Sequence, residues 1–355
     1  MTIFIALAPP LSQAAGSPDA VPDTDTQWTS RDAAAYWTAD RMAAAAPIPP
    51  PPDTSRPPTS RPTTARSETK PAPTRVPAPA ATAVPTPTPT APTATPTPTA
   101  TPTSTPTATR TPALTPTPEA TAATASQQAP NAQHFDGIPS VGVLFSVDGD
   151  ARAHHCTASV VRSPHRNVIL TAGHCKPGTR AAFVPQYRSG AATQPHGVWA
   201  IDETFTYPGH GTTGAGSDLD FAFATVEPDA QGREIEAVVG GNILAPTPGY
   251  TNKVTVIGYP SVRNDPKDRA VRCATSTTRL AGTRQLRMEC GGFYGGTSGG
   301  PWLTGFDERT GTGHVIGVIG GLNGGGPSGP HSDRISYSPY FGTEVFTLYG
   351  RATQA

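Results

Sequence analysis

Three short stretches of the chain carry residues able to do nucleophilic chemistry if folding brings them together. They are Leu170-Thr171-Ala172-Gly173-His174-Cys175, Ser217-Asp218-Leu219-Asp220-Phe221-Ala222-Phe223 and Gly295-Gly296-Thr297-Ser298-Gly299-Gly300-Pro301-Trp302. A serine hydroxyl is a poor nucleophile at its free pKa and needs a neutral imidazole within hydrogen-bond reach to take its proton. That imidazole needs a buried carboxylate on its other nitrogen, which fixes the tautomer and stabilises the imidazolium. The oxyanion formed when the serine attacks a carbonyl needs preorganised backbone donors. A glycine-rich turn lets such donors converge, and here they are the N–H groups of Gly296 and Ser298. The set predicts Ser298 as nucleophile, His174 as base, and Asp220 or its rival Asp218 as the acid.

Each stretch alone is a modest signal. A single histidine after a strand is more often structural than catalytic, a Gly-Thr-Ser-Gly-Gly run can be an ordinary loop, and an aspartate beside apolar residues can cap a turn. Their occurrence together, in the order His, Asp, Ser within one β-rich region, is the stronger observation.

The elements that must position these residues are short. From Gly137 onward, apolar runs at Val141–Val147, Thr157–Val161, Val168–Leu170, Phe221–Val226, Val254–Gly258 and Val315–Ile319 are separated by Gly, Pro, Asn and Asp. They show no sustained 3.6-residue period, so the region reads as all-β, a barrel or a sandwich. His174 then follows directly on the Val168–Leu170 strand.

The rest of the chain differs in kind. It contains 36 glycines and 43 prolines, and the prolines concentrate between Pro47 and Pro118 among Thr and Ala. Such a tract buries little apolar surface and favours extended, polyproline-like spacers. Three zones result: an apolar signal-like segment over 1–16, an expected disordered region over 17–133 that includes the Pro/Thr linker, and a folded domain over 134–350. A short helix is expected around Asp32–Met42. The signal-like segment has no Lys or Arg near Met1, so it reads as an incomplete export signal. A net charge of zero without a basic cluster argues against a nucleic-acid partner. No apolar run reaches the roughly 20 residues that a membrane-spanning helix needs.

Four cysteines allow three pairings. Local pairing, Cys156 with Cys175 and Cys273 with Cys290, is the simplest choice, each bridge closing a loop of roughly twenty residues and adding about 3 kcal/mol. A zinc site from His154, His155, Cys156, His174 and Cys175 is the competing reading. It lacks ligand-pair spacings of the Cys-x-x-Cys or His-x-x-x-His kind, so no metal and no other cofactor is expected. Disulfides point to an oxidising compartment and thus to secretion.

Thr-Ala-Gly-His-Cys and Gly-Thr-Ser-Gly-Gly-Pro resemble the two signature motifs of the chymotrypsin-like (trypsin superfamily) serine peptidases. Asp220-Phe221-Ala222-Phe223 is similar to that family's Asp-apolar-Ala-apolar segment, and this match selects Asp220 over Asp218. Cys156-Thr157-Ala158-Ser159-Val160-Val161 followed by Cys175 resembles the bridge that buttresses the family's histidine loop. The resemblance covers residues 136–350 and is greatest for bacterial secreted members. It implies two antiparallel six-stranded β-barrels, barrel one over about 134–245 and barrel two over about 246–350, with the triad in the cleft between them.

Two departures bear on function. Thr297 stands where many animal-type members carry an aspartate that pairs with a newly released N-terminus, so activation by such a pair is not expected. Val238-Val239-Gly240-Gly241 resembles a mature N-terminus of those enzymes, but lies between His174 and Ser298 and reads as a loop. By the resemblance, the pocket for the residue before the scissile bond falls to the stretches around Gly292–Gly295 and Val318–Leu322, with Gly292, Ile319, Gly320 and Gly321 as its named candidates. Gly292 replaces the aspartate of Arg/Lys-specific members, and Ile319 the histidine of Glu-specific ones, which leaves an apolar or small residue.

The function expected is a secreted serine endopeptidase acting on proteins or peptides, with the Pro/Thr tract either a stalk for association with a cell envelope or a passive linker. The alternatives are a catalytically silent homologue serving as a binding module, and an α/β-hydrolase esterase. Gly296-Thr297-Ser298-Gly299-Gly300 fits the esterase motif, but the order Ser, acid, His is reversed here and no helical pattern follows Pro301.

Overall fold

The computed structural model describes residues 27–48, 129–149 and 151–355. The signal-like segment over 1–16 and the Pro/Thr tract lie outside them. The described residues 27–48, 129–149 and 151–355 belong to one compact unit. That unit is mostly β.

Six strands form a closed antiparallel barrel: β1 (Val141–Val147), β2 (Ala153–Val160), β3 (Val168–Thr171), β4 (Thr179–Pro185), β5 (Trp199–Thr206) and β6 (Ala222–Val226). They run in the order β2-β1-β4-β5-β6-β3, and β3 pairs back onto β2 through Ser159–Leu170 and Val160–Ile169. Closure removes free edges from this ring. Leu144, Val160, Ile169, Phe183, Trp199 and Val226 fill its interior. All seven residues of β1 are buried, because its other face (Val141, Val143, Phe145) turns to the core shared with the second sheet.

Six further strands are β7 (Lys253–Gly258), β8 (Val271–Leu280), β9 (Gln285–Glu289), β10 (Pro301–Asp307), β11 (Thr312–Val318) and β12 (Ile335–Pro339). Their order is β12-β9-β8-β7-β10-β11, every pairing among them antiparallel. This sheet rolls up, but β11 and β12 share no backbone ladder. They meet through the Ser338 hydroxyl, which accepts from Val318 N–H at 3.0 Å, and through Gly320 N–H donating to Tyr337 O at 3.0 Å. In place of the expected second barrel stands a rolled sheet of these six strands, extended by Gln133–His134 and Ile243–Leu244, whose seam has no backbone ladder.

Four helices complete the unit: α1 (Ser30–Tyr36), α2 (Ala39–Ala44), α3 (Ile235–Val239) and α4 (Thr343–Ala352). On α4, Val345, Leu348 and Ala352 are buried on one face, and its Tyr349 hydroxyl donates to Arg162 O at 2.7 Å, tying the chain's end to barrel one.

Two boundaries differ from the sequence expectation. The folded domain begins near Pro130, whose carbonyl accepts from Gly291 N–H, and Gln133–His134 pair with β8. Residues 27–48 are not a coreless lead-in but an arm packed on barrel one. A capping box opens α1, with the Thr29 hydroxyl and the Asp32 carboxylate each taking the other's backbone N–H. Trp37 is buried with its ring 5.2 Å from that of Phe145, and its indole N–H donates to Arg180 O at 2.7 Å. The Trp28 indole donates to Ala181 O at 2.9 Å, and Ala33, Met42 and Ala45 are buried beneath the arm. Ala46–Pro47 then pairs in parallel with His154–His155 of β2.

Among the described residues no helix is long and apolar enough to cross a membrane.

Candidate active site

His174 sits in a single 3-10 turn, Gly173–Cys175, immediately after β3. The turn is pinned by the Cys156–Cys175 disulfide, which ties it to β2. Cys273 and Cys290 form the second bridge. Local pairing thus holds for both. With Cys156 and Cys175 bonded to each other, neither sulfur is a thiolate able to hold zinc beside His174.

Asp220 is wholly buried and lies just before β6. Its Oδ2 accepts from His174 Nδ1 at 2.8 Å and from Gly321 N–H at 2.7 Å, while Oδ1 accepts from the His174 backbone N–H at 2.7 Å. Asp218 points elsewhere: its Oδ1 accepts from the Gln285 amide at 2.9 Å and from Arg284 N–H at 3.3 Å. Of the two acids, Asp220 meets His174 and Asp218 does not.

Burial of the His174 ring disfavours its charged form, but the adjacent Asp220 charge and hydrogen bond outweigh that, and the pKa is held above the ordinary histidine value.

Ser298 lies in the turn between β9 and β10. Barrel one holds this turn by its backbone: Thr157 N–H donates to Ser298 O at 2.7 Å, and the Thr157 hydroxyl to Gly296 O at 3.0 Å. The same hydroxyl accepts from Tyr259 N–H at 2.9 Å. Gly296 has φ of +105°, a conformation that glycine alone adopts without strain. Thr297 N–H, between the two candidate donors, is used on Tyr294 O at 3.1 Å. Among the described residues the N–H groups of Gly296 and Ser298 donate to no protein acceptor. Two unspent donors flanking a spent one suit an anionic oxygen.

His174 and Ser298 line one cleft of about 910 Å³, without a hydrogen bond between them. Such contacts often tighten only when substrate is bound. Thr297 is buried and donates its hydroxyl to Tyr294 O at 2.8 Å, so no carboxylate stands before the serine.

Of the four residues expected to form the pocket, only Ile319 lines the cleft. Gly292 backs onto Ala132, Gly320 lies against Asp220, and Gly321 against the Gln285 amide. Gly321 N–H donates to Asp220 Oδ2, while Gly320 N–H is engaged with Tyr337 O. Phe293, Ser336, Asn323 and the run Gly324–Gly326 take their place in the lining, as does His210 beside His174. No acidic side chain is among the lining residues, and Phe293 and Ile319 supply buried apolar walls. A signal for Phe293 existed in its place ahead of the serine turn. The Gly324–Gly326 loop carried none beyond its glycines.

No known family model matches the chain, and no curated protein matches it in sequence. Solved structures do match its fold. Protease Anisep from Arthrobacter nicotinovorans superposes with a TM-score of 0.53 at 24% identity, over 63% of this chain and 100% of its own. The thermostable serine protease AL20 from an extremophilic microorganism gives 0.51 at 26% identity, over 61% of this chain and 98% of its own. With one closed six-stranded barrel, a second rolled sheet and these two relatives, the chain has the chymotrypsin-like fold of bacterial serine proteases.

Proposed function

We propose that the chain is a serine endopeptidase exported to an oxidising compartment. The observation that carries this reading is the Asp220 carboxylate held against His174 Nδ1 at 2.8 Å, with the other side of the ring in the cleft that Ser298 shares. In this reading neutral His174 takes the Ser298 hydroxyl proton as the oxygen attacks the scissile carbonyl. The carbonyl oxygen becomes an anion stabilised by Gly296 and Ser298 N–H. Collapse breaks the C–N bond, imidazolium returns its proton to the leaving amine, and an acyl-Ser298 ester remains. Water, deprotonated by His174, then hydrolyses that ester and regenerates the hydroxyl.

The apolar walls from Phe293 and Ile319 and the lack of an acidic lining residue support an apolar side chain before the scissile bond. The two disulfides support export.

The direct test is labelling of the purified chain with a fluorophosphonate, followed by mass-spectrometric location of the adduct. An adduct on Ser298 that His174→Ala abolishes is the expected result. Absence of an adduct on correctly disulfide-bonded protein would shift the reading to a silent binding module.

A further inference from the structure

The N-terminal arm runs along the cleft. After α2, Ala46–Pro47 pairs with His154–His155, directly ahead of the Cys156–Cys175 bridge, and Pro47 and Ile48 line the same cleft as His174 and Ser298. Pro47 reaches the serine turn itself: a methyl added to Gly295, the residue before Gly296, would lie 3.1 Å from Pro47 Cβ. Ile48 packs on the cluster that contains Cys156 and Cys175.

Which half of a substrate this wall meets follows from the proton path. The leaving amine receives its proton from the His174 imidazole, so the leaving half lies on the His174 side of the serine turn. That side is bounded by Lys176 and the Cys156–Cys175 bridge, where the arm runs. The β2 edge at His154–His155 is already covered by Ala46–Pro47, so the leaving chain cannot add there as a strand.

On the serine peptidase reading above, we propose that residues 46–48 are a built-in wall of the leaving-group side, a specificity-determining element that admits only a small residue immediately after the scissile bond. Its stiffness is written in the sequence. Proline fixes φ at Pro47, and the residues before Pro47 and Pro49, which are Ala46 and Ile48, are held extended. Anchored upstream by buried Trp37, Met42 and Ala45, the segment cannot swing aside as a free loop would.

The test digests a proteome-derived peptide library with the full chain and with the Pro47→Gly/Ile48→Gly variant, reading the residues on both sides of each cut. The full chain should cut mainly before Gly, Ala and Ser. In the variant, sites followed by Leu, Phe or Tyr should rise by about tenfold relative to those followed by Gly or Ala, the size expected for opening an apolar subsite. The profile before the cut, set by Phe293 and Ile319, is the internal reference. Ile48→Ala alone, a milder change, should move the ratio in the same direction and serves if the double variant fails to fold. Identical profiles after the cut in wild type and variants would overturn the wall while leaving the peptidase reading in place. A wild-type chain with neither cleavage nor a fluorophosphonate adduct on Ser298 would overturn both.

Discussion

The Gly321 backbone N–H, beyond β11 of the rolled sheet, donates at 2.7 Å to the same Asp220 oxygen that faces His174 Nδ1. The acid on barrel one is therefore oriented from across the cleft. Gly321 has φ of +98°, and a Cβ there would run into the Gln285 amide, which itself accepts Leu322 N–H and donates to Asp218 and Ser217. Gly321→Ala should cost about 1–3 kcal/mol of stability from backbone strain. It should also lower turnover by roughly 10- to 100-fold, as a misplaced orienting group does. Denaturant unfolding with steady-state kinetics checks both, and a variant with normal turnover would remove Gly321 from the positioning of Asp220.

Activity should follow the neutral fraction of His174. Because Asp220 holds that pKa above the ordinary histidine value, the midpoint of the rise in kcat/KM with pH should lie above about 6.5. In Asp220→Asn the opposing effect of burial remains alone, so the midpoint should move down while turnover falls by about 10⁴-fold. A pH profile that stays in place on loss of the carboxylate would sink this assignment.

Thr157 links the two halves of the site without touching substrate. Its hydroxyl donates to Gly296 O and accepts Tyr259 N–H, so Thr157→Val keeps the shape and leaves a buried N–H unpaired. That should destabilise the fold by about 1–3 kcal/mol. Because it frees the Gly296 carbonyl, the oxyanion donors should lose alignment and kcat should drop by roughly tenfold or more, with KM changed less. Equal loss in fluorophosphonate labelling rate and in peptide turnover is the expected pattern. A change confined to KM would argue against the positioning role.

The parts of this architecture that could be read from sequence are those whose side chains decide their own fate. The Val/Ile/Phe runs at Val141–Val147 and Val254–Gly258 became strands because both or most of their faces are buried. Strand β5, with Asp202 and Glu203 exposed in its middle, and β8, whose Thr275–Thr278 run is polar between Arg272 and Arg279, carried too little apolar signal. Helix α4 was missed although Val345, Leu348 and Ala352 share a face, because the surrounding β pattern dominated the reading. Gly320 and Gly321 were assigned to the pocket by resemblance, but their backbone is engaged with Tyr337, Asp220 and the Gln285 side chain. A helix could be foreseen around Asp32–Met42, where the arm forms two short helices broken at Trp37–Thr38. The arm's destination could not, because Trp28 and Trp37 dock on the carbonyls of Ala181 and Arg180, which have no sequence signature.

The arm should therefore contribute to stability in a way that the sequence alone does not suggest. Trp37→Ala removes a buried indole and its hydrogen bond to Arg180 O, and should cost about 3–5 kcal/mol. If the arm only hung from the domain, the urea midpoint would not move. Because Ile48 follows on the same segment, the variant should also show the relaxed preference after the cut that the wall variants show.

His155 supplies the last and most pH-specific expectation. It is buried beside Phe145, its Nε2–H donates to Tyr259 O at 2.9 Å, and burial pushes its pKa down to about 4. In the unfolded chain the same ring titrates near 6.5, so between these values the unfolded state binds the extra proton. Stability from this group is then complete above about pH 6.5 and is lost as the pH falls toward 4, a change on the order of 3 kcal/mol. His174 acts in the opposite sense: its raised pKa stabilises the fold at low pH and that contribution disappears as pH rises through it. Urea unfolding at intervals between pH 7 and pH 4 should show wild type losing stability more steeply than His155→Gln, whose amide has no proton to gain. Parallel slopes for the two proteins would mean that the acid sensitivity resides elsewhere. A steeper wild-type slope would make His155, between the arm's Pro47 and the Gly296 turn, the group that sets the acid limit of the fold's stability.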